Sequence, residues 1–388
     1  MTLQPTRPQG RLLSLDVMRG ITIAGMILVN NPGSWSTVYA PLLHAEWNGL
    51  TPTDLVFPFF MFIMGVSSFA SLRKFEFRPS RQLLAKILRR TFRIFLVGIL
   101  LGWFGLALTN WTRLDAEQLP FFTHLWRSCA ELNHLRILGV LQRLALCYGA
   151  ASLIGIYVRH KYIPYIIGAG LAIYCLILHL CNGFIPGEGN MLCDLDRTLW
   201  GEGHMYLDRG VEPEGLLSTI PSVCQTLIGF LCGRILFRPG TDNRERMLKL
   251  FLIGTSLTFL GLLLAYGCPI NKKIWSPTFV MTTCGLASSL LALLIWVIDV
   301  KGRGRLFRFF EAFGANPMAI YVFSGILASL ADFITVRSDG TALKDLLVEG
   351  LNQLVGPYFA SLLFALIFVG CCWVVAWILY RKQIYIKL

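Results

Sequence analysis

The sequence predicts an all-α, polytopic helical membrane protein with about ten transmembrane helices and both termini cytoplasmic. Three observations predict it. The hydrophobic share is 55% and the mean hydropathy +0.61, more apolar surface than one soluble core hides. Apolar runs of about 20 residues, long enough to cross a bilayer, recur along the chain. Basic residues gather in alternate connections, 22 Lys and Arg against 8, and the richer set belongs inside.

The spans are expected at 13–31, 53–72, 91–109, 137–157, 163–182, 216–236, 248–267, 275–299, 314–334 and 355–380. The first is not read as a cleavable signal peptide: it holds Asp16 and Arg19, lacks an Ala-x-Ala site and runs on into a polar segment. Segment 75–90 sets apolar Leu83, Leu84, Ile87 and Leu88 beside a basic face. It is expected as an interfacial helix, anchoring at headgroups or attracting a polyanionic ligand. Long connections at 32–52, 110–136 and 183–215 are expected outside, building a site that opens outward. No linker or low-complexity stretch interrupts the chain, so residues 1–388 read as one domain in the bilayer of the cell's inner, cytoplasmic membrane. A homodimer is compatible with that shape.

The formal charge of +13 is then mostly a topology signal. It sits in short loops at helix ends, not on a soluble basic face interleaved with aromatics, so nucleic acid is not an expected partner. The eleven cysteines contain no C-x-x-C pair, and most lie inside spans as small apolar fillers. Cys193 and Cys268 share the outer side and could pair, with free thiols the favoured state. No His, Cys and Asp cluster has metal-ligand spacing, so no metal is expected.

The most informative stretch is 30–54, polar and wedged between two apolar runs. Polar groups at membrane depth are costly and usually kept for a task. His44 is the candidate base, since an unperturbed imidazole titrates near pH ~6.5. Asp54 could orient its ring, as carboxylates do in nucleophile–base sites; Thr51 and Thr53 also make this a helix start. Asn30 places a carboxamide at the end of the first span, where it could donate to a developing oxyanion. Trp47 and Asn48 add an aromatic face and an amide.

Asp16 and Arg19, three apart, share a helix face. They read either as an ion pair at the interface or as Arg19 meeting a phosphate. Gln142 and Arg143 lie inside a span, and a buried arginine must be paired or face water. Asp54 or Asp16 would be its structural partner; an anionic ligand is the other reading. Loop 194–221 mixes carboxylates with Trp200 and Tyr206, which suits the hydroxyls and C–H faces of a sugar. Glu214 and Ser218 carry that polarity into the sixth span. Asn271, in NKKIWSPTF, and Asn316, before Pro317 near the inner face, complete the candidates.

Stretches 11–20, 30–65, 139–148, 196–206, 213–221, 271–276 and 316–321, in this order, resemble the heparan-α-glucosaminide N-acetyltransferase family of multi-span acyltransferases and its bacterial relatives. The lysosomal form has an extra N-terminal lumenal domain, and this chain is read as the bacterial shape without it. The resemblance implies acetyl transfer from cytosolic acetyl-CoA, a co-substrate, to the amine of a terminal glucosamine across the membrane. It puts the active histidine on His44 and an asparagine beside it on Asn30. Two departures stand out: Asn31-Pro32-Gly33 with the longer 34–43 stretch, which bears on the acceptor pocket, and Glu212 where an aspartate is usual, a small change.

Together these readings assign catalysis to His44, Asn30 and Asp54. The acceptor amino sugar falls to Trp47, Asn48, Glu214, Ser218 and Asn271, and acetyl-CoA to Arg19, Gln142, Arg143 and Asn316. Direct transfer is favoured because it needs no reset between half-reactions; an acetyl-histidine route stays open. An amino-sugar transporter without chemistry, and acyl transfer to another cell-envelope sugar, are the competing functions.

Overall fold

A computed structural model describes residues 12–187, 189–206, 210–336 and 340–386, the side chain of Ala116 excepted. Arg7, Arg11, Arg209, Arg337 and Lys387, which enter the charge count, and Glu188 and Asp208 of the outer loops lie outside the described residues. Among the described residues the regular elements are all helical, and nine of the helices are long and apolar enough to cross a membrane. These are α1 (Leu13–Asn30), α2 (Val56–Arg73), α3 (Arg81–Leu114), α5 (Val140–Tyr157), α6 (Ile163–Leu180), α8 (Thr219–Leu236), α9 (Asn243–Leu264), α10 (Pro277–Leu294) and α14 (Pro357–Arg381). Shorter helices lie in the connections: α4 (Phe121–Ala130), α7 (Met191–Trp200), α11 (Arg308–Ala315), α12 (Pro317–Phe333) and α13 (Leu343–Val355).

Two expectations need correction. The ninth span, expected at 314–334, is broken near its start: the arms 304–315 and 317–333 meet at 74°. Pro317 lacks an N–H and crowds the preceding turn, and Asn316 leaves helical geometry at φ −134°, ψ 53°. Segment 75–90 is not a separate interfacial helix. Residues 75–80 turn, and Ser80 then caps α3 by accepting the Leu83 N–H at 3.1 Å. From there 34 residues run unbroken. At 1.5 Å per residue α3 is about 50 Å long against a core of about 30 Å, so its basic first turns project past the apolar zone.

Burial separates an inner from an outer set. Between 61% and 72% of the span is buried in α1, α2, α5, α8 and α10, against 11–33% in α3, α6, α9 and α14. With lipid as apolar as leucine, such packing rests on close backbone approach. The α2–α8 pair shows it. A Cβ on Gly229 would fall 2.1 Å from Phe62 O, and one on Gly65 2.0 Å from Thr226 O. Only glycine lets these backbones meet, and that contact sets where the N-terminus of α2, with Asp54 just before it, stands relative to Ser218.

Gly229→Val is therefore expected to destabilise the bundle by about 1–3 kcal/mol or more through overpacking. Thermal unfolding in detergent, read by monodispersity on size exclusion, would detect it. An unchanged midpoint would show that the α2–α8 contact can relax.

Candidate active site

His44 stands on the connection between α1 and α2, which has almost no regular structure of its own and is held by bonds to its surroundings. Gly33 N–H donates to Ser361 O on α14 at 3.2 Å, and Gly49 N–H to Ile270 O at 2.7 Å. Trp47 Nε1–H donates to Phe184 O at 2.8 Å. Asn48 Oδ1 accepts from Asn271 Nδ2 at 3.1 Å. The loop is thus pinned from three sides.

Asp54 opens the helical turn ahead of α2, with Pro52 at its start and Thr51 as cap. Its side chain is fully buried. Oδ2 accepts the backbone N–H of Ala45 at 3.1 Å and of Thr51 at 3.0 Å, and Oδ1 lies 2.7 Å from His44 Nδ1. An ionised carboxylate only accepts, so Nδ1 carries the proton in this contact and Nε2 is left with the lone pair. The ring is not enclosed as an inner chamber would have it: 40% of its side-chain surface is accessible.

Lys272 joins this pair. Its Nζ lies 3.0 Å from Nδ1 and 3.1 Å from Nε2 of His44, and 3.7 Å from Asp54 Oδ1. The sequence treated Lys272 only as an outer-loop charge. The missed signal was its place beside Asn271, whose Oδ1 accepts the N–H groups of Lys273 and Ile274 at 2.8 and 3.2 Å. Asn271 is buried and serves as the brace of the loop that presents Lys272.

A second cluster adjoins it. Arg136 bonds both Glu212 and Glu214 and stacks over Tyr206 at 5.0 Å. Arg143, fully buried in α5, donates from Nη2 to Gly215 O at 3.0 Å and to Ser218 Oγ, with its guanidinium 5.0 Å from the Trp275 ring. Its partners are thus neither Asp54 nor Asp16. Asp196 Oδ1 accepts the Leu216 N–H at 2.9 Å, and a Cβ on Gly215 would sit 1.9 Å from Asp196 Oδ2. Glycine is required there. Burial pushes the Asp196 carboxyl up. Glu212 also moves up with burial, against Arg136. Burial opposes ionisation of Glu214 as well, but the charges of Arg136, Arg143 and Lys272 outweigh it and hold Glu214 below the usual carboxylate range. Lys272 therefore acts electrostatically on both clusters. Arg136, the last residue of the 110–136 connection, was missed because its carboxylate partners Glu212 and Glu214 lie 76 and 78 residues further along the chain.

The remaining candidates stand apart. Asn30, the last residue of α1, is exposed, and no hydrogen bond joins it to His44. Gln142 packs its amide against Gly98 of α3. At the opposite, basic end, Arg19 bonds Asp16 at 2.9 Å, Ser67 Oγ at 2.8 Å and Gly314 O at 3.3 Å, bracing α1 against α2 and α11. Asn316 exchanges bonds with Ile384 O and Ile386 N–H, both at 2.8 Å. Its amide holds the C-terminal segment. Also at that end is a cavity of about 390 Å³ whose lining includes Phe69, Arg73, Phe77, Arg234, Phe237 and Arg238. Cys193 and Cys268 are both free thiols.

The Glu214 contribution to stability follows from its depressed pKa. It is present above the unfolded value of about 4.3 and is lost as pH falls through the lower folded value. Glu214→Gln is expected to remove that acid limb and to destabilise by about 3–5 kcal/mol at neutral pH, since two guanidiniums lose a buried partner. Unfolding midpoints measured against pH would check it; an identical acid limb in the variant would contradict the assignment.

No protein-family model matches the chain. Two curated proteins do. Over an alignment of 426 positions it is 28% identical to "Heparan-alpha-glucosaminide N-acetyltransferase" of Homo sapiens, and over one of 439 positions it is 26% identical to the Mus musculus protein of the same name. Each alignment covers 97% of this chain, which spans about 60% of the length of either relative. The chain is thus a multi-pass helical protein similar along nearly its full length to two N-acetyltransferases of that name.

Proposed function

We propose that this chain is a transmembrane N-acetyltransferase. It moves an acetyl group from cytosolic acetyl-CoA to the amine of a glucosamine-type sugar on the far side of the membrane, with His44 as general base. The observation that carries the reading is the buried Asp54 carboxylate 2.7 Å from His44 Nδ1, in a chain similar to N-acetyltransferases along nearly its whole length. An amine attacks a thioester only after losing a proton, and a positioned imidazole typically contributes 10²–10⁴-fold by taking it. Nε2 is the accepting atom. Asp54 holds the ring and stabilises the imidazolium that forms.

The acceptor's charge and hydroxyls call for carboxylates, amides and an aromatic face. Glu214, Asn48 and Trp47 supply them around the loop-rich end, with Asn271 and Ser218 as braces behind. Lys272 Nζ stands in the space beside His44 that an amino sugar's own nitrogen would need. Asn30 is assigned to the developing oxyanion on the sequence alone. For acetyl-CoA, the arginine-lined cavity at the basic end suits the phosphates and the adenine ring, since guanidinium pairs with phosphate and an aromatic ring stacks a base. Gln142 and Arg143 are assigned to the thioester end on the sequence alone, and Arg19 and Asn316 shape the basic end through the helices they tie. We place that end in the cytoplasm and the protein in the inner membrane, on the positive-inside rule. Direct transfer is retained over an acetyl-histidine intermediate. The broken span at Asn316-Pro317 is what favours a transporter.

Purified protein given acetyl-labelled acetyl-CoA and glucosamine is expected to form N-acetylglucosamine. His44→Ala should lower kcat by about 10²–10⁴-fold while staying monodisperse. Glucosamine uptake into vesicles without acetylation would favour the transporter, label appearing only on another sugar of an acceptor panel would change the substrate, and full turnover in the variant would end the base assignment.

A further inference from the structure

We infer that Lys272 is an internal acetyl acceptor: in the absence of sugar, the site acetylates its own lysine. The inference rests on the function proposed above and goes beyond it by assigning a modification site.

A site built to strip a proton from a primary amine beside an acetyl thioester acts on any primary amine held there. Lys272 Nζ is one, at 3.0 and 3.1 Å from the two imidazole nitrogens. Its side chain is only 17% accessible, and its loop is tied down by side-chain bonds. Asn271 N–H donates to Ser276 Oγ at 3.0 Å, and Trp275, buried, donates its indole N–H to Gln225 Oε1 at 2.8 Å. Trp275 holds φ +53°, a backbone state bulky residues adopt rarely, which marks a turn fixed by its surroundings. The amine is therefore presented to the base by structure, in the manner of a bound substrate.

The step balances. The Lys272 ammonium gives one proton to His44 Nε2, and the neutral nitrogen attacks the acetyl carbonyl of acetyl-CoA. A C–N bond forms and the C–S bond breaks. The thiolate leaves and takes the proton from His44 as free CoA, and the new amide nitrogen sheds its second proton to solvent. Lysine amines are more basic than amino-sugar amines, so the reaction is slow beside turnover and quickens with pH. Its product removes the charge that Lys272 sets between Asp54 and Glu214. Neighbouring Lys273, whose backbone N–H is held by Asn271 Oδ1, serves as the internal control.

The test uses the full chain in detergent with acetyl-labelled acetyl-CoA and no acceptor, followed by peptide mass spectrometry over 265–276. The expected result is label on Lys272 in excess of Lys273, rising from about pH 7 to about pH 9. It should be suppressed by saturating glucosamine and slowed about 10²-fold or more in His44→Ala. Suppression by glucosamine is read on the wild type, so the test stands even if the variant fails to fold. Unlabelled Lys272 in a preparation that acetylates glucosamine would overturn the inference and leave the proposed function intact. So would label indifferent to glucosamine, equal on Lys273, or equal in a folded His44→Ala. If neither glucosamine nor Lys272 takes label, the proposed function itself fails and this inference with it.

Discussion

One carboxylate organises the site. Asp54 is removed from solvent at the mouth of α2, where an unpaired negative charge would cost several kcal/mol. The structure satisfies it with two backbone N–H groups, an imidazole and a nearby ammonium. Each donor comes with a consequence. Ala45 and Thr51 fold the loop around the charge. His44 donates from Nδ1 to this charge, which leaves Nε2 as the accepting nitrogen. Lys272 draws in the connection between α9 and α10, and through it the second cluster of Glu214, Arg136 and Arg143. Without Asp54, the ring would be left with its contacts to Lys272.

The membrane makes this arrangement affordable only at the bundle's centre. The inner helices α1, α2, α5, α8 and α10 approach one another through glycines, and their ends present Asp54, Arg143 and Ser218 to a common face. Arg143 shows the constraint most plainly. A guanidinium in a span must find carbonyls, hydroxyls and an opposing charge, and it finds them in the turn of Gly215 and Ser218, with Glu214 close by. The basic end follows another logic. Arg19 and Asn316 are occupied in tying helices and the C-terminal segment together, while Arg234 and Arg238 edge an open cavity.

The fold was legible because its signals are local: apolar run length, alternating charge, and Pro317 after Asn316. The bend of 74° was not, since proline announces a break without its angle. Nor was the continuity of α3, because a basic amphipathic stretch looks alike whether it lies on a membrane or prolongs a span. Within the site, His44 and Asp54 stood out through polarity between apolar runs, and the structure joins them. Lys272 and Arg136 did not, because a basic residue in an outer loop is ordinary in sequence and gains meaning only from partners far along the chain. Arg19 and Asn316 drew attention for their chemistry, yet that chemistry is spent on structure, a distinction that requires seeing their bonds. Asn30 rests where the sequence reading left it.

The central claim is that His44 and Asp54 act as one proton-accepting unit. A double-mutant cycle on kcat for glucosamine acetylation, with His44→Ala, Asp54→Asn and the pair, tests it most directly. Residues that work as a unit give strongly non-additive losses, so the double variant should be no slower than His44→Ala alone within about threefold. Losses that multiply would show two independent contributions and contradict the account.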